Sequence, residues 1–224
     1  MPNTIYMKDN FWIAAFMIFA YFSCTAQHKN STDFVPKGYV VFDKSFGDLN
    51  KDGQEDCILI IKGTNKDNIV INRFDEKVDR NRRGIIILFK TQESYQLVTM
   101  NYNCFFSENE DGGVYFSPEL LVKVERGNLI IHYAHGRYGF WRYTFRYQDA
   151  NFKLIGYDES SGGIVISNEL SINFLTKKKL IRENTNENAV GGDEVFKETW
   201  SKIAINELIL LSEIKDFEEF RIPY

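Results

Sequence analysis

Apolar residues along this chain recur in short runs or at every second position, and seldom at every third or fourth. Residues 57–62 (CILIIK) and 84–90 (GIIILFK) are near-continuous apolar runs of strand length, with weaker β-rich stretches at 39–42 and 95–102. In 120–125, Leu120, Val122 and Val124 fall on one side; Arg126, Gly127 and Asn128 then form a turn signal, and 129–133 returns apolar. That predicts a β-hairpin. The most regular stretch is 138–147, YGFWRYTFRY. Side chains of a strand alternate between faces, so Trp141, Tyr143, Phe145 and Tyr147 share one face, while Phe140, Arg142, Thr144 and Arg146 share the other. A turn at 148–151 leads into a strand at 152–157, and further strands are expected at 170–175 and 179–182. Residues 184–194, rich in Asn, Gly and Glu, read as a loop. Val195, Thr199 and Ile203 stand about one helical turn apart, which predicts a short helix over 195–205, and 208–220 reads as a closing turn or short helix.

The fold expected from this pattern is mainly β: an antiparallel meander with few short helices, one face of each strand dry and the other wet. An aromatic stripe at period two is usually core, so the Trp141 face is expected to be buried; a ligand- or carbohydrate-stacking platform is the competing reading.

The ends change the picture. Residues 11–22 are an unbroken apolar run, preceded by Lys8 and followed by small and polar residues. Spanning a bilayer takes about 20 residues, whereas this run has the length of a signal-peptide core. Residues 1–24 are therefore read as a signal peptide, 25–37 as a polar tether, and 38–224 as a single β-rich domain. Two processing readings stand side by side. Cys24 after Ser23 resembles a bacterial lipobox, with lipidation of Cys24 and a membrane anchor; alternatively, Cys24, Thr25 and Ala26 form a small-x-small cleavage site before Gln27. Both place the mature protein outside the cytoplasm, in the periplasm, on the outer membrane or secreted.

Composition excludes more than it assigns. The net charge of −4 comes without a basic stripe, which argues against nucleic acid as a partner. The RNRR cluster at residues 80–83 reads as a solvated loop before a strand. Cys57 and Cys104 both fall in expected strands, as a disulfide in an oxidising compartment or as buried thiols.

One stretch carries candidate chemistry. In GDLNKDGQEDCILII, from Gly47 onward, Asp48, Asn50, Asp52 and Asp56 bring oxygen-bearing side chains to spaced positions around Gly53, which permits a sharp bend. Calcium takes six to eight oxygens from carboxylates, amides, main chain and water. Such a turn offers Asp48, Asn50, Asp52 and Asp56, with Gln54 through its main-chain carbonyl. An EF-hand would require a bidentate Glu where Leu59 stands, and a strand follows instead of a helix. An Asx-rich turn that satisfies only its own backbone is the alternative. The pattern D-x-N-x-D-G-x-x-D followed by an apolar strand resembles the loop of FG-GAP or VCBS-type repeats, the β-propeller blades of integrin-like proteins. The resemblance implies calcium as cofactor and ligand roles for Asp48, Asn50, Asp52, Gln54 and Asp56. It extends into residues 84–99 as outer strands of the same blade. A closed propeller needs at least four blades, so a single blade-like unit within a larger meander is expected. SENEDGG, residues 107–113, lacks the spacing and reads as an ordinary solvated turn.

Catalytic signatures are sparse. His28 lies in the tether, and His132 and His135 fall on opposite faces of a continuing strand, which disfavours shared metal ligation. No G-x-S-x-G, phosphate-binding loop or dinucleotide fingerprint is present. Asp158 and Glu159 are the carboxylates to inspect for glycoside hydrolysis; their plain reading is a solvated turn. The expectation is an extracytoplasmic calcium-binding β-protein of the bacterial cell envelope, structural or binding in role, with no catalytic residue assigned. A secreted hydrolase acting on glycans, or a protein or sugar recognition module, is the alternative. The partner is left open.

Overall fold

The structure is a computed structural model that describes residues 30–112 and 115–222. The expected signal segment, Cys24 and His28 lie outside the described residues. Of the expected tether, Ser31–Phe34 forms a 3-10 turn, and Phe34 and Val35 pack on the sheet that follows.

Two antiparallel sheets carry the fold. The first has four strands, in the order β1 (Tyr39–Gly47), β2 (Asp56–Gly63), β5 (Arg83–Lys90) and β6 (Tyr95–Phe105). Between β2 and β5 the chain makes a 3-10 turn and a small hairpin of β3 (Ile69–Ile71) and β4 (Lys77–Asp79). Buried Asn81 ties this excursion down. Its amide nitrogen donates to Asn65 O at 2.9 Å and its oxygen accepts from Asn65 N at 3.0 Å. A short pair, β7 (Asp111–Gly112) and β8 (Tyr115–Phe116), leads to the second sheet.

The second sheet is a seven-stranded meander in sequence order: β9 (Glu119–Glu125), β10 (Asn128–Ala134), β11 (Gly139–Gln148), β12 (Asn151–Gly162), β13 (Ile166–Asn173), β14 (Lys178–Asn184) and β15 (Phe196–Lys202). The expected 120–125/129–133 hairpin is present, with Ile131 opposite Val122, and its turn places Arg126 and Gly127 at positive φ. Among the described residues the helices are short 3-10 turns only.

The two sheets share one core. Ile58, Ile60, Ile85, Ile87 and Cys104 from the first meet Leu129, Ile131, Tyr143, Phe145 and Leu154 from the second. Gly47, at the end of β1, lets the sheets close up: a Cβ there would stand 2.6 Å from Val124 Cβ. The chain after β15 completes the core with Ile203, Leu211, Ile214 and Phe217. Asn101 Nδ2 holds this segment by donating to Leu211 O at 2.8 Å and Ile214 O at 2.7 Å, and Tyr143 hydroxyl donates to Phe217 O at 3.0 Å. The other face of the first sheet carries a separate cluster of Cys57, Leu59, Ile61, Ile86 and Leu88.

The expected aromatic face is the dry one. Tyr143 and Phe145 are buried, Trp141 and Tyr147 pack against the core, and Trp141 stacks on Tyr133. One element departs from expectation. Residues 196–202 are a strand, β15, not a helix, paired with β14 through cross-strand partners such as Glu198 opposite Arg182. The segment has no buried face for a helix to use, while β14 offers a ladder of unpaired amides; tertiary pairing wins over a four-residue spacing. The cysteines are free and buried, in different clusters on the two faces of the first sheet.

Candidate metal turn and the charged end of the core

Residues 48–56 connect β1 to β2 and lie at the seam between the sheets: a Cβ on Gly127, in the β9–β10 turn, would stand 3.2 Å from Lys51 Cε and 3.5 Å from Asp48 O. Lys51 and Gly53 take positive φ, at 66° and 85°. The acidic side chains fold this bend by accepting its amides. Asp48 Oδ1 takes Lys51 N at 2.6 Å and Asp52 N at 3.2 Å, and its Oδ2 takes Gly53 N at 3.0 Å. Asn50 Oδ1 also accepts from Asp52 N, at 3.0 Å, so Asp48 and Asn50 converge on one amide. Asp52 accepts from Gln54 N at 2.8 Å and from Asn50 Nδ2 at 3.0 Å. The Gln54 and Asn50 donors hold the Asp52 carboxyl below its usual range.

Asp56 stands apart from the others. It is fully buried, and each oxygen has its own donor, Leu49 N at 2.8 Å and Lys90 N at 3.0 Å. Burial nevertheless pushes its pKa up, against the pull of those amides. It straps the turn to the end of β5. Among the described residues no three His, Cys, Asp or Glu side chains form a metal-holding group. The donor types of Asp48, Asn50 and Asp52, with the Gln54 carbonyl, fit a hard cation, because a carboxylate has about four lone-pair positions. Asp48 and Asp52 each have at least one position beyond the hydrogen bonds that shape the turn.

The other sequence candidates are dispersed. Asp158 and Glu159 are consecutive on β12 and so point to opposite faces. Asp158 pairs with Arg142 at 2.8 Å and accepts from Ser171 hydroxyl at 2.7 Å; Glu159 accepts from Tyr157 hydroxyl at 2.9 Å. They form no facing carboxylate pair. His132 lies on β10 beside Phe140, with its pKa lowered by burial and by Arg142. His135 sits beyond the strand end, its Nε2 3.1 Å from Phe116 O.

Two stretches read as solvated turns meet instead at one end of the core. Residues 80–83 and 107–111 bring together Arg80, Arg83, Ser107, Glu108, Glu110 and Asp111. Arg80 pairs with Asp111 at 2.7 Å; Lys62 pairs with Glu108 and with Asp79, the latter at 3.2 Å; Arg82 pairs with Asp216 at 2.8 Å. Arg83 is only 5% exposed. Glu218, from the C-terminal segment, reaches into the same place. Its Oε1 accepts from Tyr133 hydroxyl at 2.6 Å and Phe106 N at 3.0 Å, its Oε2 is buried without a donor, and burial raises its pKa. The sequence signal was the equal and opposite charge of the two stretches, but their separation along the chain hides that they face one another.

Comparison of the chain with protein-family models, with curated proteins and with solved structures finds no match.

Proposed function

We propose that this chain is an extracytoplasmic β-protein of the bacterial cell envelope, structural or binding in role, whose 48–56 turn takes up calcium through Asp48, Asn50, Asp52 and the Gln54 main-chain carbonyl. One observation supports this above the rest. Asp48 and Asp52 close on the amides of the same short bend, and among the described residues neither has a Lys or Arg within ion-pair reach, whereas Asp79, Glu108 and Asp111 at the opposite end of the same sheet are paired with cations. Close like charges repel unless a cation or solvent offsets them. A divalent ion supplies that charge and stiffens a bend seated between the two sheets. Asp56 braces the turn from inside.

The test is a calcium titration followed by melting. At 100 times its dissociation constant, calcium stabilises by about 2.7 kcal/mol, and EDTA removes the gain. Equal melting temperatures in calcium and in EDTA would rule the reading out. Fatty-acid labelling with and without Cys24→Ala tests the envelope anchor.

A further inference from the structure

The inward positions of β2 and β5 change character along their length. Ile58 and Ile60 are followed at period two by Lys62, and Ile87 and Ile85 are preceded by Arg83, opposite Lys62 in the register. Where these charges replace apolar side chains, a cavity of about 280 Å³ opens, walled by Arg83, Phe106, Pro118, Tyr133, Trp141 and Glu218 among others. Its size is at the lower edge of small-molecule sites, which start near 300 Å³.

Most charges around this cavity are paired; Arg83 and Glu218 are the exceptions. Lys62 has Glu108 and Asp79, and Arg80 has Asp111. Arg83 Nε donates to Phe106 O at 2.8 Å, and Phe42, at a bulge of β1, lies over the guanidinium at 5.2 Å. Among the described residues, its two terminal nitrogens have neither a hydrogen-bond acceptor nor a carboxylate within ion-pair reach. Glu108, Glu110 and Glu218 act on it only from beyond ion-pair reach, and a guanidinium so deeply buried is costly without a carboxylate in direct contact. Its flat fork matches a carboxylate through two parallel N–H bonds. On the same cavity wall Trp141 stacks on Tyr133, centroids 5.0 Å apart and planes 13° from parallel, a flat apolar surface for a ring. Glu110, Asp111 and Glu218 line the remaining side and oppose a second negative charge.

We propose that this cavity binds a small monocarboxylate carried on a single ring, the carboxylate at the free edge of Arg83 and the ring against Trp141. Aromatic acids and uronic acids share this chemistry. The site does not involve the 48–56 turn, so its failure and that of the calcium reading are separate results.

The full chain is titrated with benzoate and, separately, with glucuronate, followed by tryptophan fluorescence and melting temperature. At least one acid is expected to give a saturable change with a dissociation constant of about 1 mM or tighter, while its uncharged counterpart, benzamide or methyl glucoside, gives none. Response to benzoate alone supports an aromatic acid, to glucuronate alone a uronic acid, and to both the shared carboxylate as the determinant. No saturable response to either acid, or the same response to an acid and its uncharged counterpart, overturns the proposal. Arg83→Lys keeps the charge and loses the fork; it is expected to weaken binding about ten- to a hundredfold, and unchanged affinity overturns the assignment. If that variant does not fold, Trp141→Leu followed by calorimetry replaces it: weaker binding is expected, and unchanged binding overturns the role of the wall.

Discussion

Strand β2 begins at Asp56 and ends beside Lys62, and the protein treats the two ends differently. At the Asp56 end, a buried anion is satisfied by main-chain amides alone, and the exposed acids before it fold a turn by the same means. At the Lys62 end, buried cations meet acids from distant segments, and the match is incomplete: among the described residues Arg83 has no carboxylate within ion-pair reach, and Glu218 Oε2 lacks a donor. A local device satisfies itself because donors and acceptors sit within a few residues. A device assembled from β2, β5, the 107–111 turn and the C-terminal segment has to reconcile four backbones at once, and the leftover polar groups define a cavity.

Variants can break this contrast. The largest effect is expected from Asp56→Ala, which leaves the amides of Leu49 and Lys90 without acceptors at a buried position. A loss on the order of 3 kcal/mol is expected in urea unfolding, the same in calcium and in EDTA. A loss that appears only in calcium would make Asp56 a ligand and not a strap.

The next largest is the pH dependence carried by Glu218. Its folded pKa is raised, so on rising pH the unfolded chain releases this proton first, while the folded chain still holds it. The folded state then binds more protons, and stability falls with pH from the ordinary carboxylate range up through the raised value. Glu218→Gln keeps an acceptor for Tyr133 and Phe106 and removes this slope. The difference between wild type and variant, measured by urea unfolding across acid to neutral pH, should move in the variant's favour as pH rises; a constant difference would mean that Glu218 titrates alike in the folded and unfolded states.

Asp48→Asn sharpens the other end. In EDTA it should cost about 1 kcal/mol or less, since the turn is exposed and one acceptor remains, and it should abolish the stabilisation by calcium. Full retention of the calcium shift would take Asp48 out of the ligand set. The smallest effect belongs to Trp200→Thr on edge strand β15. Trp200 is 62% exposed, and a change within about 0.5 kcal/mol is expected in thermal melting. A larger loss would mean that the tryptophan is covered in solution.

How far these features are legible in the sequence follows from the range of the interactions behind them. Period-two alternation marks β9 to β12 and the buried aromatic face, because a strand displays its environment residue by residue. The 48–56 turn is legible as a compact acidic bend, since spacing and a glycine suffice to form it. The sequence does not separate Asp56 from Asp48, Asn50 and Asp52; that difference comes from Lys90 N, which only the pairing of β2 with β5 brings near. Val195, Thr199 and Ile203 mimic a helix because a spacing of three or four residues carries no information about whether a neighbouring strand has amides to offer. Arg83 reads as one of several exposed arginines until Lys62 and Phe105 are paired with it on its two sides.

The sequence alone determined an antiparallel β architecture, its dry and wet faces, and one acidic bend, all set by contacts within a few residues or by the two-residue repeat of a strand. The tertiary structure alone decided that β15 is a strand, that Cys57 and Cys104 are parted by a sheet, and that Arg83, Tyr133, Trp141 and Glu218 surround one cavity. Burial and charge pairing across long stretches of chain are properties of packed surfaces, and no local pattern of residues specifies which surface will meet which.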